Sequence, residues 1–542
     1  MKSLLKKNMK RSTHMKRSIF SLLVILLTTS SCEKFFEKDP TDFLAPTNYY
    51  ETEQQLTSAL AGTYDKLAAV YGTAWLYRAG MEGDEGYFAR AAPVLGPQNF
   101  NQSASDNDTH GIWRNLFEGV NRANLLLANV DKNPEISIEI RRRIRGEALF
   151  LRGYYYFVLT QLWGGVPIFT EPTASAKDTD NERNSLAEVY AQILEDMKAA
   201  EALVPSIEEV QFGGRVSKSA VRGILARVCL FMAGEPLKDV SKFEEARNWA
   251  RKVMDDGGAA HALNPSYSDI FIKIARDEYD TKESILEVEF WGNRTDNYTE
   301  TGYVGFANGP QTSNSNTGNG FGGVRTTAKH WRKYAAGDLR RDWNIANFTY
   351  VNTGENGRKN MITATSESSL YSRQAAKFRR EYETLLPKAV GQTPQNFPLL
   401  RYSDVLLMFA EAENEINNGP TATAYEAINQ VRRRAFGKLL PEAENVNAHD
   451  LAGLNYEDFK SELQDERMRE FAFEQMRKFD LIRWGIFAFE MKSVQQDIER
   501  VFATIPYYRE RFANAQSEKH KIWPIPAAEL MLNKLMTQNS GW

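Results

Sequence analysis

Apolar residues recur at intervals of three and four along much of the chain, the spacing that turns one stripe of a helix toward a core. Thr57 to Ala69 carries this period, and so does Trp113 to Val130, where Leu116, Val120, Ala123, Asn124 and Leu127 share a stripe. Arg141 to Trp163 is a longer helical stretch, dense in rings at Phe150, Tyr154, Tyr155, Tyr156 and Phe157. Gly164-Gly165-Val166-Pro167 stops it, because Pro cannot continue a helix and Gly readily ends one. Leu186 to Leu203 reads as an amphipathic helix that ends before Pro205.

Two later stretches resemble each other. Ser217 to Ala233 places Ala220, Ile224, Leu225, Ala226 and Cys229 at helical spacing, and a loop joins it to Phe243 to Met254. Tyr402 to Asn417 repeats the plan with Leu406, Leu407, Phe409, Ala410 and Ala412, then Asn418-Gly419-Pro420 and a partner helix Ala422 to Ala435. Helix, short loop, helix with alanine at the crossing is the tetratricopeptide plan, since small residues let two helices approach closely. The stretches 142–163 and 186–204 form a third such pair with a longer loop. The fold class expected is mainly α, a scaffold of tetratricopeptide-like hairpins with long irregular loops and a few short strands on the ligand-binding side. The irregular stretches are roughly 70–110, 290–330 and 350–395, rich in Gly, Asn, Ser and Thr. The run Asn308 to Gly320 has neither a helical nor a strand period; loops this long are functional or disordered.

The N-terminus breaks the pattern. Lys2, Lys6, Lys7, Lys10, Arg11, Lys16 and Arg17 precede an apolar run from Ile19 to Leu27, followed by Thr28, Thr29, Ser30, Ser31 and Cys32. Basic, apolar, then small is the secretory order, and the apolar run is too short to span a bilayer. Small residues before a cysteine fit cleavage by a lipoprotein signal peptidase, with Cys32 lipidated; Thr29 stands where the usual pattern has Leu. Met1 and Met15 both serve as starts for such a signal. The other cysteine, Cys229, lies in an apolar helical stretch and reads as a small core hydrophobe. Formal net charge is −3, and removal of residues 1–31 takes it to about −10. That excludes nucleic acid as the main partner and a polybasic membrane patch as the anchor.

A search for chemistry finds little. The six histidines are scattered with no zinc spacing, and there is no nucleophile elbow or phosphate loop. Asp84 and Glu85 are the most enzyme-like acidic pair, and a glycosidase pair assembled across the fold stays open. The expectation is a protein that is not an enzyme, with no catalytic residues, cofactor or metal ligands. The stretch 466–484, read as one helix, puts Met468, Phe471, Ala472, Gln475, Phe479 and Ile482 on a core-facing stripe. Glu466, Glu470, Arg477 and Trp484 fall opposite, with charges expected to pair with other helices or at three-residue spacing (Arg467 with Glu470, Glu474 with Arg477, Arg477 with Asp480).

That stretch, Glu466-Arg467-Met468-Arg469-Glu470 through Arg483-Trp484-Gly485, resembles a segment of the SusD/RagB family. So do Leu400 to Ala412, Glu147 to Pro167, the stem Asp39-Pro40-Thr41, and the ending Ile522-Trp523-Pro524-Ile525-Pro526 with Gln538-Asn539-Ser540-Gly541-Trp542. Ser540 and Trp542 replace the family's Pro and Tyr. The resemblance covers nearly the whole chain after Cys32, in the right order. It implies a lipid-anchored outer-membrane protein facing the cell exterior. Such a protein captures oligosaccharides, or in some members peptides, and hands them to a SusC-like TonB-dependent transporter. The expected segments are a signal peptide at 1–31, a lipidated stem at 32–47, an N-terminal helical region at 48–270 and a C-terminal region at 271–542, the last two forming one globule. A sugar offers apolar faces for rings and hydroxyls for Asn, Asp, Gln and Arg. Two loop clusters supply these: Trp75, Tyr77, Arg78, Asp84, Tyr87 and Phe88, and then Trp291, Asn293, Arg294, Asn297, Tyr298 and Tyr303. Glycan or peptide, which glycan, and whether a structural calcium is held are left open by these residues.

Overall fold

The computed structural model describes residues 49–73, 75, 80–89, 94–175, 177, 179–293 and 301–542. The expectations for residues 1–47, Cys32 among them, lie outside the described residues.

Helices carry the fold, as their period implies. Helix α1 (Glu53–Tyr71) starts four residues before the apolar pattern because Thr52 and Gln55 close a capping box that recruits a polar first turn. Helix α2 (Asn107–Asn129) is capped by Asp106, whose carboxylate accepts from the Thr109 N–H. Helix α3 (Ile138–Trp163) begins at the Ser137 cap and ends at Gly164, whose φ of 75° turns the chain away. Helix α4 (Leu186–Glu201) follows a Ser185–Glu188 capping box. The pairs α5 (Lys218–Ala233) with α6 (Lys242–Met254) and α7 (Tyr402–Asn417) with α8 (Ala422–Ala435) form hairpins, as does α3 with α4. Helix α6 packs on α7, so the third hairpin stacks on the second across a long sequence separation. Close approach depends on small residues: a Cβ on Gly119 of α2 would fall 2.6 Å from the Tyr155 ring of α3. Cys229 is buried on α5, and burial pushes its thiol well above the usual range, in keeping with a core role.

The few strands among the described residues form three two-stranded antiparallel sheets. Strand β1 (Gly86–Phe88) pairs with β3 (Val324–Thr326), β2 (Ser284–Val288) with β6 (Phe397–Arg401), and β4 (Phe348–Tyr350) with β5 (Lys359–Met361). The largest apolar core runs without a break from Tyr50 to Met536. Two smaller clusters surround Tyr87 and Phe473.

The stretch 466–484 departs from the single helix expected. Helix α9 (Tyr456–Glu470) stops, the chain turns through Phe473 (φ 62°) and Gln475 (φ 66°), and α10 (Arg477–Arg483) begins. The break has no Pro or Gly. Its cause is tertiary: donors from elsewhere take the carbonyls at the end of α9. Tyr334 Oη and Asn344 Nδ2 donate to the Arg469 carbonyl, and Tyr267 Oη and Lys377 Nζ donate to that of Glu470. Asn308 Nδ2 donates to the Phe473 carbonyl within the turn. The charges do pair with other elements, and at three-residue spacing the pairs are Glu466 with Arg469 and Asp480 with Arg483 rather than the three expected. Glu470 meets Arg340, Arg401 and Arg434; Glu474 meets Arg401 and Lys377; Arg467 meets Asp404 and Asp480; Arg477 meets Asp84. Burial raises the Glu470 carboxyl, but its three guanidinium neighbours outweigh that and hold it well below the carboxylate range.

Candidate functional site

The two loop clusters named from sequence separate by burial. Trp75 is buried, packed between Tyr71 (4.9 Å) and Phe479 (5.9 Å). Asp84 is fully buried, bonded by both Arg477 Nε (2.7 Å) and Nη2 (3.2 Å). Burial raises its carboxyl, but Arg477 and Lys329 together hold it well below the usual range. Its neighbour Glu85 is pushed up to about 8 by burial, against the pull of Arg477. Neither carboxyl lines the cavities described below. Tyr87 is buried too, its hydroxyl donating to the Tyr371 carbonyl (2.5 Å) and its ring stacked on Tyr508 (4.1 Å). Trp75, Asp84, Glu85 and Tyr87 are all spent inside the fold. Asn293 is buried, its amide donating to the Pro387 carbonyl (2.8 Å). Trp291 is 42% exposed and edges a cavity of about 710 Å³ between α1 and β2, with Tyr64, Arg122, Phe212, Arg215 and Glu289. Tyr77, Arg78, Arg294, Asn297 and Tyr298 lie outside the described residues. Among those described, no group of three His, Cys, Asp or Glu side chains is placed to hold a metal.

A second cavity, of about 540 Å³, combines rings and amides. It is built by the polar run 308–320, which the structure orders. Thr312 and Gly320 exchange backbone hydrogen bonds (3.0 and 2.9 Å), closing the run into a loop. Inside it Asn314 Oδ1 accepts from the N–H groups of Asn316 and Thr317, an Asx turn, while its amide donates to the Val351 carbonyl beyond β4. Gln374 Oε1 accepts from the Gln311 N–H (2.8 Å), and Asn352 Oδ1 from the Ser313 N–H (3.2 Å). Two half-buried rings flank the loop: Phe306 and Phe321, stacked at 6.0 Å with planes 26° apart. Phe321 also meets Phe88 of β1 (6.0 Å), and Phe306 meets Tyr303 (5.2 Å). Gly323 makes room for this, since a Cβ there would sit 2.4 Å from the Phe321 ring. The groove wall is completed by exposed Val390, with Asn319, Asn352, Gln374 and Thr349 around it.

One buried cation holds two walls together. Arg380 forms a bidentate pair with Glu383 and donates through Nη1 to the carbonyls of Asn319 (2.7 Å) and Ala389 (2.9 Å). Lys388 adds a bond to the Arg380 carbonyl (2.7 Å) and another to that of Thr317 (3.3 Å).

The surface runs on past the groove. Asn293 is tied to Pro387, and a Cβ on Gly391 would lie 3.7 Å from the Tyr303 hydroxyl, so Asn293 and Tyr303 adjoin the loop bearing Val390. Of the second sequence cluster, Asn293 and Tyr303 therefore lie beside the groove, with Tyr303 in contact with Phe306. Phe306, Gln311, Asn319, Phe321 and Gln374 were not singled out by sequence. Their one local signal is the pair of phenylalanines bracketing an amide-rich run.

The comparisons follow this architecture. A family model described as "SusD family" matches residues 282–542, and one described as "Starch-binding associating with outer membrane" matches residues 34–230. SusD-like protein P25 of Formosa agariphila is 26% identical over 97% of this chain and 98% of its own. Starch-binding protein SusD of Bacteroides thetaiotaomicron is 24% identical over 81% of this chain and 80% of its own. The crystal structure of a SusD homolog from Bacteroides thetaiotaomicron superposes with a TM-score of 0.83 at 25% identity, covering 92% of this chain and 98% of that one.

Proposed function

The chain belongs to the SusD family, and from that premise we propose that it is a cell-surface binding protein that captures oligosaccharides and delivers them to a SusC-like TonB-dependent transporter. It works without catalysis, held at the outer membrane by lipid on Cys32 and facing the exterior. The observation that carries the glycan reading is the Phe306–Phe321 ring pair lying in a groove edged by amides. Pyranose rings present C–H faces that pack on aromatic carbon, and their hydroxyls both donate and accept. Amide side chains answer both demands. Relatives support the same ligand class: one matching family model and one relative aligned over 81% of this chain are described as starch-binding.

Binding here needs orientation and dry apolar contact, which the folded loop supplies before a ligand arrives. The test is the double variant Phe306→Ala, Phe321→Ala, titrated calorimetrically against neutral gluco-, manno- and xylo-oligosaccharides. Loss of at least about tenfold in affinity, roughly 1.4 kcal/mol, is expected with the melting curve retained. Undiminished affinity in a folded double variant removes the groove as the site. Binding of peptides but of no glycan would favour the peptide-uptake alternative. Co-purification with a TonB-dependent barrel when the two are co-expressed tests the partner.

A further inference from the structure

The groove's charge is as informative as its rings. Phe306, Gln311, Asn319, Phe321, Asn352 and Gln374 carry most of its surface, and no carboxylate, ammonium or guanidinium lines it among the described residues. Three described cations nearby are committed. Arg380 is held by Glu383, Lys388 is bonded to two carbonyls, and Lys359 is paired with Glu381 (2.6 Å). We infer that this groove takes uncharged glycans and rejects those bearing uronate or sulfate groups. The inference rests on the glycan reading above and narrows it.

The physical argument is one of compensation. A hydroxyl entering the groove exchanges water for an amide at little net cost. A carboxylate or sulfate brought against the same rings loses hydration that amide donors only partly replace, and no cation among the described lining residues returns the difference. The charge of the whole chain, −3 and about −10 after loss of residues 1–31, adds repulsion toward polyanions.

The experiment uses the lipid-free chain from residue 33. Calorimetric titrations take a neutral set (laminari-, malto-, manno- and xylohexaose) and an anionic set (oligogalacturonate, oligoalginate and sulfated galactan oligomers). Each is run at about 20 and about 500 mM salt, where screening of any ionic contact differs widely. A neutral binder whose affinity changes less than about twofold between the two salts, with anionic oligomers at least about fiftyfold weaker, is expected. An anionic oligomer that binds as tightly as the best neutral one, with affinity falling as salt rises, overturns the inference and leaves the glycan reading standing. Binding of neither set overturns the glycan reading itself. In the Phe306→Ala, Phe321→Ala variant the neutral signal should vanish; its persistence would place the selectivity elsewhere and overturn the assignment to this groove.

Discussion

Arg477 is 6% exposed and reaches both oxygens of Asp84, which has no exposure. Removing one partner of such a pair leaves a charge in the interior without compensation. Arg477→Ala should therefore lower unfolding free energy by about 3–5 kcal/mol, read by denaturant titration, while glycan preference is unchanged in whatever fraction folds. Normal stability with lost binding would mean that Arg477 serves the ligand instead. Glu85 tests the same interior from the other side. Its Oε1 accepts from the Phe473 N–H (3.2 Å), Oε2 has no partner, and burial raises its pKa to about 8. A carboxyl raised in the fold binds more protons there than in the unfolded chain, so its effect on stability worsens as pH climbs from the unfolded value toward 8. Glu85→Gln should raise the melting temperature more at about pH 8.5 than at about pH 5. An equal gain at both pH values would show that the carboxyl is ionised throughout. Asp404 and Glu466, each lowered to about 2 because guanidinium neighbours outweigh the burial that raises them, run the opposite way. Their contribution is present above the ordinary carboxylate range and lost as pH falls through about 4 to 2.

At the scale of elements, local pattern and tertiary contact divide the fold between them. Helices Tyr402–Asn417 and Ala422–Ala435 agree with their apolar period to the residue, because caps and stops lie next to the pattern. The tetratricopeptide-like pairing was legible too, since alanine and glycine mark where helices cross. Gly119→Ala would drive a methyl into the Tyr155 ring and should cost about 1–3 kcal/mol, measured by thermal melting; a neutral effect would mean that α2 shifts freely on α3. The groove loop was legible only as a loop. Its order comes from partners far along the chain, Gln374 for Gln311, Val351 for Asn314 and Arg380 for Asn319, which no local window contains. The break after Glu470 escaped for the same reason. The ring clusters drew attention to Trp75 and Tyr87 because sequence does not separate a ring that packs from one that binds. Arg380 makes the loop's dependence testable. Arg380→Met should weaken glycan binding by about tenfold and raise amide exchange in 311–320 and 385–391, with Arg380→Lys restoring part of both. Unaltered exchange in those two segments would show that the walls stand without it.

The whole molecule is tied across the expected boundary between residues 270 and 271 by contacts that neither side can replace. Glu82 pairs with Lys478 (2.5 Å) and accepts from the Trp523 indole, Asp84 pairs with Arg477, and Arg227 pairs with Asp404 (2.6 Å). Strand β1 has its only sheet partner in β3 among the described strands. Trp163 stands edge-on to Trp523 (5.4 Å) and donates to the Pro524 carbonyl. Cutting the chain there leaves Glu82, Asp84 and Arg227 without their charge partners and opens both tryptophans to water, each change a known route to large destabilisation. The helical hairpins before residue 270 look self-sufficient by local pattern, yet their inner face is completed by residues after it. We therefore expect the full chain to unfold in one calorimetric transition, with van't Hoff and calorimetric enthalpies equal, and residues 48–270 expressed alone to show no cooperative melt. A fragment 48–270 that melts cooperatively near the temperature of the full chain would show two separable units, and the groove, built wholly from residues after 300, would then have to be sought in the other one.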